Sequence, residues 1–254
     1  MEVINGVWYM NGLDPDDPGC IHSSDELIKV IKEIGFLPLF ECGIPGFSVE
    51  NMTDPASWWT GDPGSDPWEW RGIIAKRGDI AYGKFFKNRA GFISREWFPV
   101  FANYRREGYD FDARYEDGKA GRKEKLIMDL FLPEGAELWD VDIKDLDRYV
   151  RSSELFSNEV KDRAGFGKGK ETGFESCCTK LQMQSYLIVR DFRQRLNKSG
   201  KPYGWAIAVY TLPEYVWGYD YISGGYKERP ADSYDRMISH LGRFYDISGK
   251  ERLI

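Results

Sequence analysis

Apolar stripes at helical spacing, paired runs of period-2 alternation and one helix, turn, helix, hairpin order predict an α+β fold for this chain of 254 residues. The elements group into tandem winged-helix-like units with a C-terminal helical cap. Residues 1–135 form an acidic, aromatic-rich winged-helix-like unit, 136–215 a winged helix-turn-helix unit and 216–254 the cap. The length suffices for one large domain or two smaller ones, each with its own core. A content of 42% hydrophobic and 15% aromatic residues is that of a globular protein.

In chain order, GLDPDDPG is a sequence for turns. Ser23 or Ser24 then caps a helix carrying Leu27, Ile28, Ile31 and Ile34 on one face, and Gly35 ends it. FLPLFE is extended, because Pro38 is excluded from a helix interior and restricts the residue before it. In DPWEW, Asp66 caps, Pro67 suits the first turn and Glu69 completes a capping box. IAYGKFF reads as a strand and GFIS as a short extended segment. Ser94 opens a helix through REWFPVFANYRR, with a kink at Pro99, and YDFDARYEDGKAGRKEK reads as polar surface.

Ser152 or Ser153 caps ELFSNEVKDRA, with Leu155, Phe156 and Val160 inward and Gly165 at the end. Thr172-Gly173-Phe174-Glu175 fits a Thr-x-x-Glu capping box, followed by the stripe Phe174, Cys177, Cys178 and Leu181. YLIVRDF and YGWAIAVYT alternate with period 2, through Leu187 and Val189 and through Trp205, Ile207 and Val209, joined by the basic loop RQRLNKSGKP. This order is that of a winged helix-turn-helix. Finally, ADSYDRMISHLGRFY offers a helix with Tyr234, Met237, Ile238, Leu241 and Tyr245 on one face, which either packs on its own domain or builds a homodimer contact.

No run of about 18 apolar residues exists, so no membrane span is expected. The opening MEVINGVWYMNGLDPDDPG lacks a basic region followed by an apolar one, which predicts a cytoplasmic protein. The four cysteines show no C-x-x-C spacing, and with His22 and His240 as the only histidines no zinc site and no metal are expected. No P-loop, nucleophile elbow or dinucleotide fingerprint appears, so no cofactor is expected. GFGKGKETGF joins two helices rather than a strand and a helix. The acid groups Asp14, Asp16 and Asp17, Asp140 and Asp142, and Asp145 and Asp147 read as solvated surface.

The net charge of −6 hides an asymmetry. Residues 1–66 hold twelve acids against Lys29 and Lys32, a net of −10, whereas 158–201 hold ten Lys or Arg against five acids, a net of +5. One segment attracts phosphate while the N-terminal part repels it. In a winged helix the second helix commonly enters a major groove and the hairpin lies along phosphates. Lys168, Lys170 and Lys180 then border the helix, and Arg193, Arg195, Lys198 and Lys201 sit on the wing. The alternative is a solvated basic hairpin on a packing module. Trp58, Trp59, Trp68, Trp70 and Trp217, in the clusters SWWTGDPGSDPWEW and EYVWGYDYISGGY, either line a pocket for bases or a small molecule or form core.

From VRSSELFSNEV through YGWAIAVYTLPE, and in DPWEWRGIIA, AGFISREWFPVFANYRR and DELIKVIKEIGF, the sequence resembles the winged-helix family containing the bacterial AlkZ and YcaQ DNA glycosylases, and the AlkZ-related proteins in particular. The Tyr-x-Leu-Pro-Glu ending at Tyr210 to Glu214 is part of that resemblance. It implies a fold of winged helices and duplex or damaged DNA as partner. It also implies a catalytic Gln-x-Gln or Gln-x-Asp pair after an early Leu-Gly, and the matching point here is Ile34-Gly35-Phe36-Leu37-Pro38-Leu39-Phe40. Those side chains offer no donor or acceptor, and residues 66–105 lack the family's histidine.

Gln182 and Gln184 are the candidate substitutes, but on a helix an i, i+2 pair diverges by about 200° and points to opposite flanks. The sequence therefore favours a catalytically diverged relative that binds DNA. The alternatives are a glycosylase-like enzyme with other catalytic residues, and an interaction or small-ligand module with no nucleic acid.

Overall fold

The computed structural model describes residues 2–4, 7–132, 136–140 and 153–249, and the fold is mixed α+β. It divides into two compact units, residues 1–98 with 231–254, and residues 99–230.

In the first unit the backbones of β1 (Glu2–Ile4) and β2 (Val7–Tyr9) pair antiparallel. Helix α1 (Ser24–Ile34) starts at Ser23, whose hydroxyl accepts from the Glu26 N–H, and buries Leu27, Ile28, Ile31 and Ile34. Gly35 ends it at φ 85°. A Cβ there would also come within 2.5 Å of the Trp97 ring, so glycine meets two requirements at once. β3 (Phe36–Pro38) follows. Asp66 caps α2 (Pro67–Arg77), with Pro67 in the first turn. β4 (Ile80–Phe86) and β5 (Arg89–Ser94) form an antiparallel pair whose β5 side takes up β3, with Pro38 opposite Gly91.

The second unit opens within α3 (Phe98–Arg106). The helix begins three residues later than expected, because Ser94 is still paired to Ile80 in the sheet and residues 94–98 form turns. Pro99 then falls in the first turn, where its missing N–H has no partner to lose. The stretch expected to be polar surface holds α4 (Phe111–Glu116), which buries Phe111, and runs into α5 (Arg122–Met128), which buries Glu124 within it and Ile127 and Met128 just beyond it. Each is too short for the helical period to emerge from sequence.

Leu155 and Phe156 form β6, paired with Tyr210 and Val209, rather than the first turn of a helix. Helix α6 (Ser157–Arg163) starts after them, and the Glu159 carboxylate accepts the Phe156 N–H at 3.0 Å. Ser152, the alternative cap, lies outside the described residues, as do Asp142, Asp145 and Asp147.

Helix α7 (Phe174–Met183) starts from Gly173 at φ 86°, so Thr172 is not its cap; the Thr172 carbonyl instead accepts from Lys123. The stripe Phe174, Cys177, Cys178 and Leu181 is buried as expected. β7 (Ile188–Leu196) and β8 (Pro202–Thr211) make a long hairpin, and α8 (Pro213–Trp217) and α9 (Tyr219–Ser223) close the unit. Helix α10 (Pro230–Leu241) returns to the first unit and buries Met237 and Leu241 there; Tyr245 lies beyond its end. No described helix is long and apolar enough to cross a membrane.

Candidate nucleic-acid interface

The basic residues singled out in the sequence separate into two groups by their partners. Lys180, on α7, pairs with Glu124 at 3.2 Å. Arg193 is held between Asp191 at 2.7 Å and Glu154 at 2.5 Å. These two charges are compensated. Lys168 and Lys170, in the loop before α7, are exposed, and they form no ion pair with a described residue. The same holds for Arg195, Lys198 and Lys201 at the far end of the hairpin.

That far end is ordered by its own hydrogen bonds. The Asn197 N–H donates to the Lys201 carbonyl at 2.9 Å. Its side-chain oxygen accepts from the Ser199 N–H, the Ser199 hydroxyl and the Lys201 N–H. Gly200, at φ 75°, completes the turn. Further in, Arg193 faces Ile207 and Arg195 faces Tyr203, so a two-residue advance on β7 matches a four-residue advance on β8. The surplus residues around Gly204, at φ 72°, form a bulge. Gln194 Nε2 donates to the Gly204 carbonyl at 2.8 Å and holds it.

Alternation along β8 fails where the core ends, with residues 202–206 all exposed. Val209 is buried, Ile207 half-buried, and Trp205 is 92% exposed, the most exposed large apolar side chain among the described residues. Leu196 and Tyr203, toward the same end of the hairpin, are exposed at 64% and 44%. The Arg195 guanidinium lies 5.0 Å from the Tyr203 ring. Sequence patterning put Trp205 in the same set as Val209, but the hairpin runs past the core, where residues 202–206 are exposed on both faces of the strand.

Gln182 and Gln184 occupy different environments. Gln182 is buried and donates to the Cys178 carbonyl of its own helix at 3.1 Å. Gln184 is the residue after α7, half-buried. Ser185, at φ 61°, turns the chain into β7 and is gripped by Arg106. This guanidinium donates to the Ser185 hydroxyl at 3.2 Å, the Ser185 carbonyl at 2.8 Å, Glu214 at 2.6 Å and the Tyr226 hydroxyl at 3.1 Å. It also sits 4.5 Å from the Tyr186 ring. Glu214, the last residue of the Tyr-x-Leu-Pro-Glu stretch, is thus a buried counterion. Asp110 accepts from the Tyr219 hydroxyl at 2.7 Å and the Tyr226 hydroxyl at 3.3 Å, extending the network toward the surface.

In the first unit Phe40 lies between Trp58 and Trp68, at ring separations of 5.4 and 6.4 Å, and Trp59 follows Trp58 at 5.9 Å. Asp66 organises this corner by accepting the N–H groups of Trp59, Gly61 and Trp68. Arg71 covers one face of Trp68 at 3.3 Å, while Trp59 is half exposed. Trp70 is buried in the same unit and Trp217 in the other, so three of the five tryptophans come together.

Sequence reasoning missed the group that follows Phe40. Glu50 is fully buried and accepts from the Asn11 N–H at 3.1 Å and the Glu41 N–H at 2.9 Å. Glu41 accepts from the Asn11 side-chain amide at 2.6 Å, which holds its carboxyl below the usual range. The cysteines are free thiols, and no metal-holding group of His, Cys, Asp or Glu occurs among the described residues.

A family model described as AlkZ related matches residues 21–253 of this chain. No curated protein matches it. Among solved structures, the Streptomyces sahachiroi DNA glycosylase AlkZ is similar at 12% identity and a TM-score of 0.41, with 88% of this chain and 52% of that one covered. The chain thus spans about half the length of that relative.

Proposed function

We propose, because this chain belongs to the AlkZ-related family, that it is a catalytically diverged, cytoplasmic DNA-binding protein. Residues 136–215 act as the winged helix, with α7 as the groove helix and the β7–β8 hairpin as the wing, and the preceding residues are a second winged-helix-like unit. The strand, helix, helix, hairpin order of β6, α6, α7, β7 and β8 supports this reading. Loss of catalysis is supported by the family's catalytic position, where Leu37 and Leu39 are fully buried and Phe40 packs on Trp58.

One observation carries DNA binding: Lys168, Lys170, Arg195, Lys198 and Lys201 lack acidic partners among the described residues, in a segment with excess positive charge. If all five meet phosphates, affinity falls with salt at a log–log slope of about −4.5, roughly 500-fold between 50 and 200 mM. Fluorescence-anisotropy titration of duplex and branched DNA over that salt range tests this. Absence of binding at the lowest salt overturns it.

A second reading, a glycosylase-like enzyme, is favoured by the Glu41, Asn11 and Glu50 group directly beyond Phe40. Carboxylates can orient water and stabilise an oxocarbenium-like centre. Base release from alkylated or crosslinked DNA, abolished by Glu41→Gln, would establish that reading.

A further inference from the structure

We infer that the hairpin tip recognises unpaired nucleobases in single-stranded or locally opened DNA. Trp205 is the stacking platform, and Arg195, Lys198 and Lys201 meet the flanking phosphates. This rests on the DNA-binding reading above and specifies its substrate class.

An indole at 92% exposure is solvated almost as in an unfolded chain, and it sits in a bulge that holds it off the regular ladder. Bulges commonly re-aim a side chain next to a functional surface. Here the bulge is maintained by Gly204 at positive φ and by the Gln194 hydrogen bond, so the display of Trp205 is built into the backbone.

The surroundings select the occupant. Three cations without acidic partners among the described residues, one of them over Tyr203, favour a polyanion. A stack of paired bases shows its edges in the grooves, and an aromatic face finds a π-face only where a base is unpaired or extruded. Leu196 and Tyr203 add exposed apolar surface at the same end of the hairpin. Membrane insertion fits less well, since the turn itself is Asn197-Lys198-Ser199-Gly200-Lys201 and would have to enter the bilayer first.

The test compares a labelled single strand, its intact duplex and the same duplex with a central unpaired bulge, by anisotropy at one low salt concentration. Wild-type protein, Trp205→Ala and Trp205→Phe are measured in parallel. Stacking on one base gives roughly five- to 150-fold. The expected result is a preference of that order for the single strand and bulge over the duplex. Trp205→Ala abolishes the preference and leaves duplex affinity unchanged, while Trp205→Phe keeps most of it. Because Trp205 is exposed, both variants should match the wild-type thermal transition.

Equal wild-type affinity for all three DNAs overturns the inference while leaving the DNA-binding reading intact. So does a Trp205→Ala loss that is the same for each DNA. A concentration-dependent dimer in sedimentation velocity, or binding to anionic phospholipid vesicles, that disappears in Trp205→Ala also overturns it by identifying another occupant. No binding to any of the three removes both readings together.

Discussion

Replacing Glu214 by alanine tests how the second unit is held together. The Arg106 and Glu214 side chains are both fully buried, with Nη1 and Oε1 2.6 Å apart. After the substitution the guanidinium keeps neutral acceptors, the Ser185 hydroxyl at 3.2 Å, the Ser185 carbonyl at 2.8 Å and the Tyr226 hydroxyl at 3.1 Å, but no carboxylate. It cannot escape by losing its proton. Breaking a buried pair by removing one partner costs about 3–5 kcal/mol. The three remaining acceptors place Glu214→Ala at the low end, about 3 kcal/mol, or roughly 6–12 °C in Tm for a chain of this size.

A double replacement, Arg106→Leu with Glu214→Leu, removes both charges and leaves Ser185 and Tyr226 short of a donor, at about 1–2 kcal/mol. Urea denaturation followed by far-ultraviolet circular dichroism, with the m-value checked for constancy, reads both variants. The expected order of stability is wild type, double variant, Glu214→Ala. The reasoning is refuted if Glu214→Ala stays within 1 kcal/mol of wild type, or if the double variant is the less stable of the two.

Two further outcomes follow from the same geometry. Asp66→Ala strands three N–H groups at once, those of Trp59, Gly61 and Trp68, and should cost about 2–4 kcal/mol, whereas Thr172→Ala, at a position that caps nothing, should stay within about 0.5 kcal/mol in the same denaturation assay. Burial pushes the Tyr82, Tyr226 and Tyr245 hydroxyls up to about 12 from an ordinary value near 10. A folded-state value above the unfolded one gives stability that is full below pH 10 and lost as pH rises from there through about 12. Phenolate absorbance at 295 nm should therefore show a late fraction rising together with loss of the circular dichroism signal. A single titration centred near pH 10 with the fold intact would contradict this.

Helix positions were legible where an apolar stripe and a terminator coincide, as in α1 with Leu27 to Ile34 and Gly35, and in the buried face of α7. What sequence could not show was competition between partners. Ser94 has the chemistry of a cap but is held by Ile80 in the sheet, and Leu155 and Phe156 have a helical context but pair with β8. Thr172-x-x-Glu175 loses to a glycine whose positive φ starts the helix one residue later.

At the candidate interface, residue type revealed seven cations, but only geometry could divide them, since Glu124 is 56 positions from Lys180 and Glu154 is 39 from Arg193. Trp205 is a similar case. Period-2 spacing aligns it with Val209, but β8 runs past the edge of the core, so residues 202–206 are exposed on both faces.

The return of α10 to the first unit bears on how the polypeptide is assembled. Its His240 ring stacks on Trp97 at 4.3 Å and its Nε2 meets the Ile34 carbonyl at 3.0 Å, joining positions 206 residues apart. Residues 99–230 are contiguous and can complete their fold as they leave the ribosome, whereas residues 1–98 must wait for a helix made only after that whole unit. A ribosome stalled before residue 230 would carry one finished unit and one whose Trp97 surface lacks its cover, a state suited to capture by chaperones.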